Sequence, residues 1–442
     1  MWMLTTVGGA LLEFLLFAAL GTGILFLCLK KDHGNAIYIY LTLMLAYGCY
    51  VFFCHYIRCI HEWTIIGSAD GGGYYIPCTL ELSSLASWHK IWEAVGDVQR
   101  YRPGGAIFFY FVPIQYLADW LQMDLHLALQ ISLMPFAAMI CVVEYRILLL
   151  FDVDDKRAVR WSIGFGILSA LFWLSSFIVR DLPICLAYAI VTYTIFSETP
   201  RLKKLLIGAA MTFLAANIRL ASGMGLFPLV LFAVFADSKN RTIKTWQTIC
   251  GIVIMLIVMA SYNVIDEFGK VSQAYLSIEL EAQGGNSILA SFNVLPPGVS
   301  HVVKTLYAQF HPIPAWRNMF APDGFLEYAH NITKFPDLWV VFFRISAVMV
   351  LIYGCCTATI RKKVFENKLL LYSCIYALLL LCTQASTIEE RRKFALYPIL
   401  FIPVVLSWIH ISPNSKKGIL LISFSMFLIL QLITLLKNLT VV

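Results

Sequence analysis

Apolar runs close to the length of a membrane span follow one another along most of this chain, divided by short polar connections. A spanning helix needs about 20 apolar residues. Runs of that kind fall near 7–29, 36–57, 126–151, 161–179, 182–198, 205–222, 223–237, 246–265, 338–358, 368–386, 394–411 and 418–436. Residues 104–123 form a weaker run, broken by Pro113 and closed by Asp119. The pattern predicts an all-α polytopic transmembrane bundle of about 11 to 13 hydrophobic segments, crossing the bilayer ten or more times. Residues 1–442 then make a single membrane domain, with no internal repeat visible in the sequence.

The connections orient these segments. Lys30 and Lys31, Lys156 to Arg160, Arg201 to Lys204, Lys239 to Lys244, Arg361 to Lys363, and Lys416 with Lys417 alternate with longer or less basic loops. Basic short loops stay on the cytoplasmic side. Two long loops, 58–103 and 266–337, are therefore expected outside. Parity then fails between the first long loop and Lys156, because 104–123 and 126–151 would cross twice. A re-entrant or half-depth 104–123, opened by Arg102-Pro103-Gly104-Gly105, resolves it. A displaced boundary elsewhere is the alternative.

Composition strengthens the membrane assignment. The chain is 60% hydrophobic and 13% charged, with a mean hydropathy of +0.77, against roughly 25% charged residues in soluble domains. The net charge of +7 reflects loop topology, since no basic patch with interleaved aromatics points to nucleic acid. Most of the twelve cysteines lie inside apolar runs, which argues against a disulfide framework. Cys59 and Cys78 share one polar loop, where a disulfide is an alternative to two free thiols. Glu13 interrupts the first run and no small-residue cleavage site follows, so no cleavable signal peptide is expected.

Four polar groups stand out. In Ser68-Ala69-Asp70-Gly71-Gly72-Gly73-Tyr74-Tyr75, three glycines clear space for a ligand beside Asp70, which is suited to act as a base, unless it simply closes a turn. Arg100 and Arg102 flank Tyr101, spaced to grip a phosphate or to bind lipid headgroups. In Arg180-Asp181-Leu182-Pro183, Asp181 is expected to neutralise Arg180, while Arg219 lands at the outer end of its own segment. Two arginines at that depth suggest an anionic ligand, with snorkelling as the alternative. Last, Glu389-Glu390-Arg391-Arg392-Lys393 places cations outward against the basic-inside pattern. The second long loop adds His311 and Arg317, in an aromatic and Pro-rich run suited to stacking on sugar or to a rigid connection. Arg344, inside an apolar run, is expected to pair internally. No zinc-protease, Walker or nucleophile-elbow motif is present, and no cofactor or metal is indicated.

Several of these features together resemble the membrane proteins of polysaccharide assembly. They are Asp70 with Tyr74 in the first outer loop, the Pro103-Gly104 lead into apolar helix, the Arg180-Asp181 turn, Arg219, and Arg392 to Tyr397-Pro398. The resemblance is to O-antigen and exopolysaccharide polymerases of the Wzy/EpsG type and to the broader GT-C glycosyltransferases, over roughly residues 60–400. It implies a GT-C-like bundle in the bacterial inner membrane, with an active site on the outer face. Substrates would be polyprenyl-phosphate-linked or pyrophosphate-linked sugars or oligosaccharides, with membrane lipids and a chain-length regulator protein as partners. Asp70 would be catalytic, and Arg180, Arg219 and Arg391 or Arg392 would hold the lipid phosphate. The chain departs from GT-C enzymes in having Gly71 where a second acidic residue often stands, and from EpsG-like chains in having Arg219 near a common His. Metal dependence and the general base therefore stay open. A polyprenyl-monophosphate-dependent transferase and a lipid-oligosaccharide flippase are the alternatives.

Overall fold

A computed structural model describes residues 2–29, 33–60, 71–85, 87–96, 105–235, 335–384 and 393–439, with short pieces between 295 and 307. Among the described residues every regular element is helical. Helix α1 (Trp2–Cys28) and helix α2 (His33–Ile60) form an antiparallel pair. Gly48 lies against the Phe14 ring, and Phe26 meets His33 edge-on at 5.2 Å. The Tyr40 hydroxyl crosses the interface to donate to Phe17 O at 2.8 Å.

Beyond α2, the described parts of the polar loop pack into the bundle. Gly71–Tyr75 makes one wide helical turn and continues into α3 (Ile76–Ser83); α4 (Trp88–Gly96) follows. A tight turn at Gly105–Ile107 opens α5 (Phe108–Trp120), and Asp124 caps α6 (Leu125–Leu150) by accepting from Leu127 N–H at 3.4 Å. Helix α6 is the most buried long element and packs against α1, α2, α5 and the later helices.

Next, α7 (Asp155–Leu168) ends at Ser169, a single turn spans Leu171–Leu174, and α8 (Asp181–Phe196) begins. Helices α9 (Arg201–Ile218) and α10 (Leu220–Phe235) form a hairpin that reverses at Arg219 alone. Small residues permit the approach. A Cβ on Gly223 would lie 2.4 Å from Ala216 Cβ, and one on Gly208 would lie 2.3 Å from Val230 Cγ1. After residue 335 come α11 (Asp337–Cys356), α12 (Ala358–Val364), α13 (Lys368–Gln384), a short turn at Phe394–Leu396, α14 (Tyr397–His410) and α15 (Pro413–Leu439).

Among the described residues, the connections carrying Lys156 to Arg160, Arg201 to Lys204, Arg361 to Lys363 and Lys416 with Lys417 gather at one end. Asn35 Nδ2 donates to Asp155 Oδ2 at 2.5 Å, Phe151 meets Phe196 at 4.9 Å, and Tyr353 donates to Ser415 Oγ at 3.0 Å. Lys416 lies 5.3 Å from the Trp408 ring centre at that same end. The opposite, far end carries the start of α6, where Arg58 and Asp124 form an ion pair.

Five helices are long and apolar enough to cross a membrane: Thr6–Cys28, His33–Ile60, Leu125–Leu150, Asp337–Cys356 and Pro413–Ile433. A sixth is counted if α12 and α13, which meet at 97°, make one broken span. The chain is therefore a multi-pass membrane protein, with fewer full-length spans among the described residues than the 11 to 13 expected segments. The difference has identifiable causes. The expected run at 161–179 is not one helix, because the chain leaves helical geometry at Ser169. The runs at 182–198, 205–222 and 223–237 are helices of 16, 18 and 16 residues. Residues 246–265 lie outside the described ones. Cys59 and Cys78 are free thiols and form no disulfide; Cys59 Sγ instead lies 3.4 Å from His55 Nε2.

Candidate functional site

Several helices and turns begin or end partway along α6, in the far half of the bundle. Tyr110, near the start of α5, donates to Ser132 O at 2.6 Å, and its ring meets Phe136 at 5.3 Å. The start of α5 is therefore level with the middle of α6, roughly 10–17 Å below the α6 tip at 1.5 Å per residue. Helix α4 descends beside α5, since Trp88 meets Tyr116 at 6.5 Å and Trp92 meets Phe109 at 5.1 Å. The turn at Gly71–Tyr75 lies equally deep, with Tyr75 5.7 Å from Phe111.

Helix α8 reaches that level from the other side. Phe196 is level with Phe151 at the basic end, so Asp181, fifteen residues earlier, stands about 22 Å higher. It lies alongside the middle of α6 and well below its tip. The charges are thus at the far ends of short helices, sunk beneath the tips of α2 and α6. The sequence placed them simply at the outer ends of full spans.

At this junction Arg180, Asp181 and Arg219 come together. Arg219 Nη1 lies 2.6 Å from Asp181 Oδ1, with the Asp181 side chain 3% exposed and that of Arg219 20% exposed. Arg180 Nη1 donates to Ile218 O at 3.1 Å, satisfying one of the last carbonyls of α9. The expected neutralisation of Arg180 by Asp181 is thereby corrected: the carboxylate pairs with Arg219, and Arg180 caps a helix. Both placements follow the helix dipoles, with cations at the α9 C-terminus and an anion in the first turn of α8. Tyr188, two turns below Asp181, donates to Ser222 O at 2.9 Å, and Tyr376 donates to Gly225 O at 2.7 Å. These bonds fix the hairpin against α8 and α13.

The elements that flank the other polar groups pack around the same junction. Gly71, the residue after Asp70, lies against Ile178, where an added Cβ would sit 3.4 Å from Ile178 Cβ. The Gly105–Ile107 turn, three residues beyond Arg102, packs on α9. The Phe394–Leu396 turn packs on α8, and Phe394 stacks on Phe165 at 5.7 Å, near the far end of α7. Asp70, Arg100, Arg102, His311, Arg317, Arg391 and Arg392 themselves lie outside the described residues.

Three residues were passed over or undervalued by sequence reasoning. Lys393, the last cation of its run, is 1% exposed. Glu13 and Glu144 are fully buried within α1 and α6, and their carboxylate oxygens have no hydrogen-bond partner among the described residues. For Glu144 the signal was a lone acid inside an otherwise apolar run. No family model, curated protein or solved structure matches this chain.

Proposed function

We propose that this protein is a membrane glycosyltransferase that joins polyprenyl-pyrophosphate-linked or polyprenyl-phosphate-linked sugars into a surface polysaccharide. The observation that carries the reading is the meeting of Arg180, Asp181 and Arg219 at the recessed tips of α8 and the α9–α10 hairpin. The basic end is read as cytoplasmic by the positive-inside rule, and the far half around this junction is read as a recess that opens outward. Helices α4 and α5, with the turn between them, are read as a re-entrant element. Its backbone would be tolerated at depth because it lines a cavity.

In this reading Arg180 and Arg219 bind the lipid phosphate. They stabilise the charge that develops on it as the bond from the donor's anomeric carbon to the phosphate oxygen breaks, the lipid (pyro)phosphate leaves and the bond to the acceptor oxygen forms. Asp70, one residue from the Gly71 contact with Ile178, removes the proton from the acceptor hydroxyl. The long helices around the recess limit water and so limit hydrolysis of the donor. No nucleotide is consumed, because the phosphate-linked donor carries the driving force. A polymerase is the first form of this reading, and a single-sugar transferase using a polyprenyl monophosphate is the second.

The test uses purified protein in lipid nanodiscs with a polyprenyl-pyrophosphate-linked oligosaccharide, and product length is followed on gels. Arg219→Lys should lower turnover about ten- to a hundredfold, since an ammonium cannot reproduce a guanidinium fork. Full activity of the Lys variant at limiting donor would refute the phosphate role. A lipid-oligosaccharide carrier is a separate reading, favoured by the burial of Glu13 and Glu144 inside long spans. It is distinguished by lipid moving across vesicles with no elongated product.

A further inference from the structure

A carboxylate beside a phosphate would repel it, so Asp181 is ill suited to contact an anionic ligand itself. Its geometry suits another task. The residue is in the first turn of α8, is 2% exposed as a whole, and has Oδ1 2.6 Å from Arg219 Nη1. The α8 backbone beneath it is held to α10 through Tyr188 and Ser222. Arg219, by contrast, is the single reversal residue of the hairpin, in extended conformation (φ −156°, ψ 111°) between the last residue of α9 and the first of α10. A long, rotamer-rich side chain at such an apex loses much entropy on being fixed. A bond to a rigid, buried carboxylate pays that cost before any ligand arrives.

We propose that Asp181 is a positioning residue: it pre-orients the Arg219 guanidinium so that the fork meets the ligand phosphate, and it does not contact the ligand itself. This rests on the phosphate-binding reading given above. The proposal fixes the sign of an otherwise ambiguous effect. If Asp181 merely neutralised Arg219, removing its charge would tighten anion binding, because the site gains one positive unit. If it orients Arg219, binding weakens although the site becomes more positive.

Asp181→Asn decides between them, since the amide keeps the size and one acceptor oxygen while removing the charge. Polyprenyl pyrophosphate is titrated into nanodisc-held protein, and bound lipid is counted by radiolabel; thermal unfolding is measured without ligand. The expected result is binding about tenfold weaker or more, with unfolding close to wild type. Asp181→Glu, which keeps the charge but moves it by one methylene, should also bind more weakly, and it serves if the Asn variant does not fold. Equal or tighter binding in either folded variant overturns the positioning role while leaving the phosphate site intact. Failure of the wild type to bind the lipid overturns the phosphate reading, and this proposal with it.

Discussion

Replacing Gly223 with Ala should damage the site without touching any charged residue. The added Cβ would sit 2.4 Å from Ala216 Cβ, 2.6 Å from its Cα and 2.7 Å from its backbone N. Ordinary carbon contacts lie near ~3.5–4.0 Å, so α9 and α10 must part by about 1 Å or more near their apex. No rotamer change relieves this, because two of the three opposing atoms belong to the backbone. Overpacking of this kind costs about 1–3 kcal/mol, against which Ala gains up to ~1 kcal/mol over Gly in a helix. Arg219 lies between the two contact residues, and a shift of about 1 Å would take its 2.6 Å pairing with Asp181 beyond hydrogen-bond range. A displacement of that size at a reacting site costs up to ~100-fold in rate.

Thermal unfolding in one detergent, with turnover measured alongside, would check this. Gly164→Ala on α7 is the matched control, because nothing lies within 4 Å of its Cβ position. The control should be neutral or more stable by up to ~1 kcal/mol. If Gly223→Ala gained stability and kept activity as the control does, the hairpin apex would not be packed as described.

Two further outcomes are expected. Asp124→Ala removes the α6 cap and the ion-pair partner of Arg58, whose side chain is only 8% exposed; the loss should be about 2–3 kcal/mol, read by thermal unfolding, and Asp124→Asn should recover the part due to the cap. Val299, half exposed within the second long loop, should react as Val299→Cys with an impermeant maleimide added to intact cells in a variant lacking the native cysteines. Labelling only after permeabilisation would reverse the topology.

Helix ends with a chemical stop were legible in the sequence, while breaks inside apolar runs were missed or misplaced by a few residues. Asp124 and Pro336 mark where α6 and α11 begin, and the expected runs at 126–151 and 338–358 start within two residues of them. The break at Ser169 has no glycine or proline beside it, so an apolar window passes over it. The reversal at Arg219 was expected about four residues late, between the runs 205–222 and 223–237, since one extended residue between two apolar helices leaves average hydropathy unchanged. A usable signal existed in Gly208, Ala216 and Gly223, small residues on facing positions of two short runs. At the site, Arg180, Asp181 and Arg219 were recognised as residues, but their pairing was assigned by sequence proximity. Asp181 is next to Arg180 along the chain, yet consecutive residues point in different directions at a helix start, and the hairpin brings Arg219 to the carboxylate instead.

The placement of the charges follows from the lengths of the helices that carry them. A full span buries its polar ends at the two interfaces, where water and headgroups satisfy them. A helix of 16 or 18 residues beside helices of 26 and 28 ends about 15 Å short of at least one tip. Its terminal carbonyls and N–H groups must then find partners inside the protein. Arg180 supplies a donor to Ile218 O, and Asp181 places a negative charge at the opening turn of α8. Arg219 balances that carboxylate, which leaves one positive unit among the three side chains. These charges therefore serve the backbone ends first, and under the proposed phosphate-binding reading the surplus cation is what would meet the anionic ligand. A protein with the same helices at full length would have no need of charges there, so the depth of these helix ends and the charges upon them arise together.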